Sequence, residues 1–184
     1  VRSRSVIGAT GAKERWLGLP GEEPLRGKSL HTCAYCDGAF YSNRAVCVIG
    51  GGDGALEAAE YLARIAKSVT LVHRRSSWRG SAAAAGNVEG NPSVKILRPF
   101  GVEAWIVRAG QLVGAKLRHA EDRSASEIRC DGVFVAIGRD PQSGIVPKSV
   151  PRDAGSFILL DRHSMTGIPG LFVAGQVADG RYQQ

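Results

Sequence analysis

The sequence predicts an α/β protein organised on a parallel sheet with helices, and three observations predict it. The run Ala45–Ile49 is apolar throughout and breaks into Gly50-Gly51-Gly52-Asp53-Gly54-Ala55, which reads as a buried strand entering a glycine turn. Directly after the turn, Ala55, Ala58, Ala59 and Leu62 recur on one helical face. A second apolar run, residues 69–72, then ends in His73-Arg74-Arg75. Strand, glycine turn, helix and parallel strand, in that order, form the smallest unit that holds a dinucleotide, a Rossmann-like unit.

Gly50, Gly52 and Ala55 fit the G-x-G-x-x-G/A spacing. Gly50 permits the tight turn, Gly52 lets a pyrophosphate approach the backbone, and Ala55 lets the helix lie close on the sheet. The N–H groups and positive dipole end of the helix then face the phosphates. The spacing alone is weak; its position between a strand and a helix makes it specific. The plain alternative is a glycine-rich turn in an ordinary parallel sheet. The charge of Asp53 is expected to point away from the pyrophosphate and to cap the helix.

Roughly twenty residues past the glycines, an NAD site carries Asp or Glu on the ribose 2′-hydroxyl. This chain carries His73, Arg74 and Arg75 there, with Arg79 a helical turn further on. Guanidinium groups bind a 2′-phosphate with charge-assisted, bidentate hydrogen bonds, and a carboxylate would repel it. The sequence therefore predicts NADPH over NADH, against the alternative of a solvated basic turn.

The chain has 184 residues, 43% of them hydrophobic, enough for one domain or slightly more with a real core. Its apolar runs are strand-length, so no transmembrane helix is expected. The N-terminus lacks the long apolar region of a signal peptide, and a cytoplasmic protein is expected. There is no initiator methionine at Val1, so a longer parent chain is expected. The net charge of +7 could point to nucleic acid. No lysine-rich block alternates with aromatics, however, and the tightest basic group (Arg74, Arg75, Arg79) is placed for a cofactor, so neither nucleic acid nor membrane is expected as a partner.

In chain order, residues 6–7 form a short apolar strand. Residues 16–44 read as a loop-rich connection punctuated by Pro20-Gly21 and Pro24. Residues 80–90 are alanine-rich, with Gly86-Asn87 expected to weaken any helix. A strand comes next at Val94–Leu97. Residues 102–107 and 112–118 read as a β-hairpin around Ala109-Gly110, with Val113, Ala115 and Leu117 on its buried face. Residues 121–127 read as a polar loop and 133–137 as an apolar strand. Two more short strands are expected at 157–160 and 171–174. With residues 6–7 these look like pieces of one second sheet, interrupted by a domain from about residue 16 to 138, because each is too short to stand alone.

Of the four cysteines, Cys47 and Cys130 lie in or beside apolar strands and read as buried, inert thiols. Cys33 and Cys36 form a C-x-x-C pair. A zinc site needs four ligands, and no second pair is present, so no metal is expected. A c-type haem needs His after the second cysteine, where this chain has Asp37. A redox dithiol fits best, with Asp37 as acid/base group; two unreactive loop thiols are the alternative.

Together these residues resemble the low-molecular-weight, bacterial-type NADPH-dependent thioredoxin reductases. Ala9-Thr10-Gly11-Ala12 is similar to the family's ATGA turn, and Leu17 to Glu23 matches the family's next segment. Cys33-Ala34-Tyr35-Cys36-Asp37-Gly38 is similar to its CATCDG. Gly50 to Ala55 with Glu57 resembles its GGGDSA-x-E, and His73-Arg74-Arg75 with Arg79 its HRR-x-x-x-R. Residues 133–138 match its FVAIG segment, which adds Ile137 and Gly138 to the cofactor-side candidates. Val173-Ala174-Gly175 matches its late AAGD.

The resemblance implies an NADPH-binding domain, with sheet, helices and a β-hairpin or meander, over residues 16–138 and inserted between pieces of an FAD-binding domain at 1–15 and 139–184. It implies that NADPH reduces FAD, FAD reduces the cysteine pair, and the dithiol reduces thioredoxin or another disulfide. Cys36 would face the flavin, Cys33 would attack the substrate and Asp37 would handle protons. A homodimer, and rotation about Glu14-Arg15 and Gly138-Arg139, are also implied. The departures are Gly54 for the family's Ser, Gln176 for the Asp of AAGD, Tyr182-Gln183-Gln184 for Tyr-Arg-Gln, and no glycine fingerprint for FAD before the Cys pair. We therefore expect these residues to bind NADPH but not FAD. The other readings are an NADP(H)-binding dithiol module without turnover, and a flavin-dependent dithiol oxidase, against which the arginine site argues.

Overall fold

The computed structural model describes residues 3–179. The altered motif at Tyr182-Gln183-Gln184 lies outside the described residues. In chain order the strands are β1 (Val6–Gly8), β2 (Ala12–Glu14), β3 (Leu30–His31), β4 (Ala45–Ile49), β5 (Ser68–Val72), β6 (Val94–Leu97), β7 (Phe100–Arg108), β8 (Gln111–His119), β9 (Ala125–Arg129), β10 (Gly132–Val135), β11 (Arg139–Pro141) and β12 (Leu171–Val173). The helices are α1 (Ala34–Asp37), α2 (Asp53–Leu62) and α3 (Ala82–Glu89). The chain divides into two compact units, one of residues 16–138 and one of residues 1–15 with 139–184.

The larger unit is a three-layer α/β structure. Its centre is a parallel sheet in the order β3-β10-β4-β5-β6. The side chains of β4 alternate as a strand's must. Val46 and Val48 join Val69, Leu71, Phe134 and the faces of α2 and α3 in one core. Cys47 and Ile49 point the other way, onto a second core shared with Val72, Val133, Val135 and the antiparallel sheet β7-β8-β9. The expected α2 face is the buried one: Ala55, Ala58, Ala59 and Leu62 are all buried, with Leu56 beside them. Burying one such Leu is worth about 1.5–3 kcal/mol.

Four expectations about this unit change. The polar segment 121–127 is not all loop, because β9 begins at Ala125 and pairs antiparallel with β8. Only its Ile128 is buried, so β9 carries almost no apolar signature. Residues 82–89 do form a helix: Ser81 caps it by accepting from the Ala84 N–H, and Ala85 and Val88 are buried, which offsets the roughly 1 kcal/mol cost of Gly86. The connection 16–44 is less irregular than expected, since β3 adds an edge strand and α1 carries the second cysteine. In the hairpin, Val113 has no partner in β7 and bulges, which brings Leu112 onto the buried side with Ala115 and Leu117.

The smaller unit corrects the single second sheet. It holds two separate two-stranded sheets, a parallel pair β1 with β12 and an antiparallel pair β2 with β11. Residues 157–160 are not a ladder strand. Asp153 Oδ1 accepts the N–H groups of Gly155 and Phe157, while the N–H of Ile158 goes to Val177 and that of Leu159 to Pro151, so only a lone bridge between Arg152 and Ile158 forms. Val146, Val150, Ile158, Val173 and Val177 make its core. The Arg152 guanidinium donates to the carbonyls of Ser143, Val146 and Val150. In the β2–β11 pair Glu14 faces Arg139 in register, and Arg15 Nε lies 2.7 Å from Asp140. No α-helix lies in this unit among the described residues, and no described helix is long and apolar enough to cross a membrane.

Candidate functional site

The parallel register sets Ile49, Val72 and Val135 level at the strand ends, and the glycine turn opens there. The glycines of the turn meet two demands. At Gly50, φ is +153°, and a Cβ would lie 2.2 Å from the Ala136 carbonyl oxygen and 2.7 Å from the Ala55 Cβ. At Gly51 a Cβ would sit 2.3 Å from the His73 ring. At Gly52, the N-cap of α2, a Cβ would meet nothing within 4 Å. Gly50 and Gly51 are thus forced by packing, and the space over Gly52 is open in front of the first N–H groups of α2, which have no intrahelical partner. Gly54 is likewise open and exposed.

The segment 78–81 is clipped onto this turn. The Gly51 carbonyl accepts the N–H groups of Arg79 (2.7 Å) and Gly80 (3.1 Å). Asp53 Oδ1 accepts the N–H of Ser81 at 2.7 Å, which holds its carboxyl below the usual carboxylate range. Asp53 therefore does not cap its own helix; it joins the start of α2 to the start of α3. Trp78 stacks on His73 with ring centroids 5.5 Å apart, receives the Arg98 guanidinium on its ring, and donates to Glu89. Arg79 is in this way carried to the glycine turn with its side chain exposed, and Arg74 and Arg75 are exposed at the end of β5. Arg74 also borders a shallow hollow of about 360 Å³ with Glu103, Arg118 and Arg123.

His73 differs from the arginines. It is buried, its Nε2 faces the Ser77 carbonyl at 3.0 Å, and burial pushes its pKa down, with the nearby guanidinium groups adding to the effect. It supports the turn from beneath as a neutral ring. Ile137 packs in the second core, and Gly138, with φ of +101°, ends the unit.

The cysteine pair is a disulfide between Cys33 and Cys36. Cys33 is the N-cap of α1, its Sγ accepting the Cys36 N–H at 3.1 Å. Gly38 lets α1 approach α2 closely: a Cβ there would lie 3.0 Å from Leu62 and 3.1 Å from Tyr61. Tyr35 also packs on Tyr61, with centroids 4.5 Å apart. The disulfide is therefore fixed beside the last turn of α2, whereas the glycine turn opens at its first. From Asp53 to Tyr61 is about 12 Å along the helix axis. The chain brings the glycines and Arg79 together but keeps the disulfide apart from them.

Two polar side chains with no assigned role complete the disulfide's surroundings. His31 Nδ1 lies 2.9 Å from Asp37 Oδ2, and His31 Nε2 lies 2.8 Å from the Tyr41 hydroxyl. The His31-Thr32-Cys33 triplet and the Phe40-Tyr41 pair around the cysteines carry no spacing signal, so only the fold could reveal this contact. Cys47 and Cys130 are buried, and burial pushes both thiols up, Cys130 to about 12. Among the described residues no group of His, Cys, Asp or Glu is placed to hold a metal ion.

A sequence profile described as pyridine nucleotide-disulphide oxidoreductase matches residues 1–184. The chain is 39% identical over 184 residues to a thioredoxin reductase of Mycolicibacterium smegmatis, covering all of this chain and 59% of that protein. It is 38% identical to the bifunctional thioredoxin reductase/thioredoxin of Mycobacterium leprae, covering 40% of it. Among solved structures, the thioredoxin reductase of Lactococcus lactis in its FR conformation superposes with a TM-score of 0.85 at 32% identity, over 98% of this chain and 59% of that one. The thioredoxin reductase from Giardia duodenalis gives the same score, identity and coverage. The chain thus spans less than two thirds of the length of these relatives.

Proposed function

Because this chain belongs to the pyridine nucleotide-disulphide oxidoreductase family, we propose that it forms the pyridine-nucleotide and dithiol part of an NADPH-dependent disulfide reductase of the thioredoxin reductase kind. In this reading residues 16–138 are the NADPH domain, and the smaller unit is part of an FAD domain. One observation carries the nucleotide assignment: the Gly51 carbonyl clips Arg79 to a turn whose Gly52 stays open.

The residues fit NADPH. Gly52, Gly54 and the N-terminal amides of α2 would take the pyrophosphate, and Arg74, Arg75 and Arg79 the 2′-phosphate. Gly50, Gly51 and His73 hold the turn in shape, Ala55 lets the helix approach, Asp53 anchors the neighbouring segment, and Ile137 and Gly138 line the end of β10. When bound, NADPH supplies a hydride. Cys33 and Cys36 carry the reducing equivalents to a disulfide substrate, with thioredoxin the best-supported candidate from the relatives' names. Asp37, beside Cys36, exchanges the protons. The described part of the smaller unit carries no glycine turn leading into a helix, and Gln176 stands where the family resemblance calls for a carboxylate, so these residues alone do not complete an FAD site. Homodimerisation and a cytoplasmic setting belong to the same proposal.

Isothermal titration of the chain with NADPH and NADH tests it. NADPH is expected to bind more tightly, and Arg79→Ala to weaken NADPH by roughly tenfold or more while leaving NADH nearly unchanged. Equal affinity of the unaltered chain for both nucleotides would refute the arginine assignment.

A further inference from the structure

A file of polar groups starts at Asp37, the residue that follows Cys36 in the chain. It runs from Asp37 Oδ2 to His31 Nδ1 (2.9 Å), from His31 Nε2 to the Tyr41 hydroxyl (2.8 Å), and from that hydroxyl to the Lys28 carbonyl (3.2 Å). Asp37 is 33% exposed and His31 5%, so the file leads from solvent to the interior. Phe134 stacks on the imidazole, and Tyr41 meets it edge-on, so the ring is held in one orientation. From the other elements packed against the file, Arg44, Asp131 and Cys130 face Tyr41.

The hydrogens in this file can be counted. Tyr41 has one hydroxyl hydrogen. If it is donated to the Lys28 carbonyl, the Tyr41 oxygen can only accept from His31, so Nε2 carries a hydrogen. A neutral ring then has none on Nδ1, and the contact with Asp37 requires one further proton, on Nδ1 or on the carboxyl. If the hydroxyl instead turns to donate to Nε2, Nδ1–H donates to the Asp37 carboxylate and no further proton is held. Both arrangements satisfy both ring nitrogens. They differ by one proton and by the direction of a single O–H bond.

We propose that His31 is a positioning residue that, with Tyr41 and the Lys28 carbonyl behind it, makes Asp37 a one-proton store for the cysteine pair. This rests on Cys33–Cys36 being the redox pair. In the reduced protein, the Cys33 thiolate attacks one sulfur of a disulfide substrate; the substrate S–S bond breaks and the first substrate thiolate leaves, protonated by solvent. The Cys36 thiol passes its proton into the store, and its thiolate attacks Cys33 Sγ in the mixed disulfide. The bond from Cys33 to the substrate breaks, and the second thiolate leaves with the stored proton. Two electrons pass from the dithiol to the substrate, the Cys33–Cys36 bond is restored, and two substrate thiols are formed. No heavy atom of the file has to move.

The test uses the reduced chain and 5,5′-dithiobis(2-nitrobenzoate), which needs neither nucleotide nor flavin. The first release of thionitrobenzoate reports attack by Cys33, and the second reports closure by Cys36. In His31→Asn, the amide can still hydrogen-bond Asp37 but cannot share its proton. The second release is expected to slow roughly ten- to hundredfold at pH 7 and to lose an inflection from its pH profile, with the first release unchanged. The same second-phase rate and profile in variant and unaltered chain would overturn the role of His31 alone. No exchange by the unaltered chain would instead overturn the redox reading of the pair. Should His31→Asn not fold, nitrogen NMR of the unaltered chain decides: the His31 ring is expected to gain a proton in a step whose midpoint moves when the disulfide is reduced. One fixed tautomer with Nδ1–H at every pH, insensitive to reduction, would overturn the proposal.

Discussion

Alanine at Gly51 and alanine at Gly52 separate the two demands that meet in the glycine turn. At Gly51 the new methyl would lie 2.3 Å from the His73 ring, far inside contact, and that ring is itself held between Trp78 and the Ser77 carbonyl. Relief requires moving packed groups, which costs about 1–3 kcal/mol. At Gly52 the methyl would meet nothing within 4 Å, and the backbone there (φ −95°, ψ 177°) is extended and open to any residue. Alanine is a poorer N-cap than glycine by about 0.5–1 kcal/mol, but it removes about 0.4–1 kcal/mol of unfolded-chain entropy, so stability should barely change. The same methyl, however, fills the space over the α2 amides. Losing hydrogen bonds to a charged phosphate costs about 1.5–3 kcal/mol, or roughly 10- to 150-fold in affinity. Thermal melts and calorimetry with NADPH read both quantities. Gly51→Ala is expected to melt several degrees lower, and Gly52→Ala to melt as the unaltered chain does while binding NADPH roughly 10- to 150-fold more weakly. If Gly52→Ala bound NADPH at full strength, the phosphates would not sit at this turn.

The lowered pKa of His73 predicts a pH dependence of stability. The unfolded chain takes up a proton near pH 6.5 that the folded chain resists, so the contribution is fully present above that pH and is lost as pH falls below it. Urea midpoints measured between about pH 7.5 and 5 should fall more steeply in the unaltered chain than in His73→Gln; parallel slopes would contradict a buried neutral ring. The buried thiols predict a count: with the disulfide reduced, two cysteines should react with a thiol reagent at about pH 8 in the folded chain and four in denaturant. Rapid reaction of all four in the folded chain would place Cys47 or Cys130 at the surface.

What was legible in the sequence is what local pattern determines. The strands β4, β5 and β10 are nearly continuous apolar runs, and α2 comes after a glycine turn with its buried face at helical spacing, so each announces itself within about ten residues. What was hidden depends on distant partners. In β9, Ala-Ser-Glu-Ile-Arg buries a single Ile, and only the ladder from β8 makes it a strand. In α3, the Ser81 cap and the packing of Val88 outweigh a glycine that local propensity counts against the helix. Asp53 had a plausible partner in its own helix but takes the Ser81 N–H, 28 positions on. His31 is hidden most fully, because its meaning lies in a carboxylate six positions on and a phenol ten positions on, brought together by the turn out of β3.

The same helix that links the two chemistries also separates them. Gly38 presses α1 against Tyr61, Leu62 and Ile65, so the disulfide cannot slide along α2 toward the glycines without parting a packed contact. The turn is tied to the sheet by the Gly50 N–H, which donates to the Val72 carbonyl at 3.0 Å, and to the 78–81 segment by the Gly51 carbonyl. Each site is rigid at its own end of a helix about 15 Å long. In the proposed function rigidity serves both: the phosphates would need preplaced amides and guanidinium groups, and the cysteine pair would need Asp37 and His31 held in hydrogen-bond register. Within this unit the two ends stay about 12 Å apart along the helix axis. The proposed NADPH site and the dithiol are thus held apart within one unit, which agrees with the flavin that the family resemblance puts between them. In the proposed function, one helix holds the donor site and the dithiol in a single domain, each fixed at its own end by packing and hydrogen bonds.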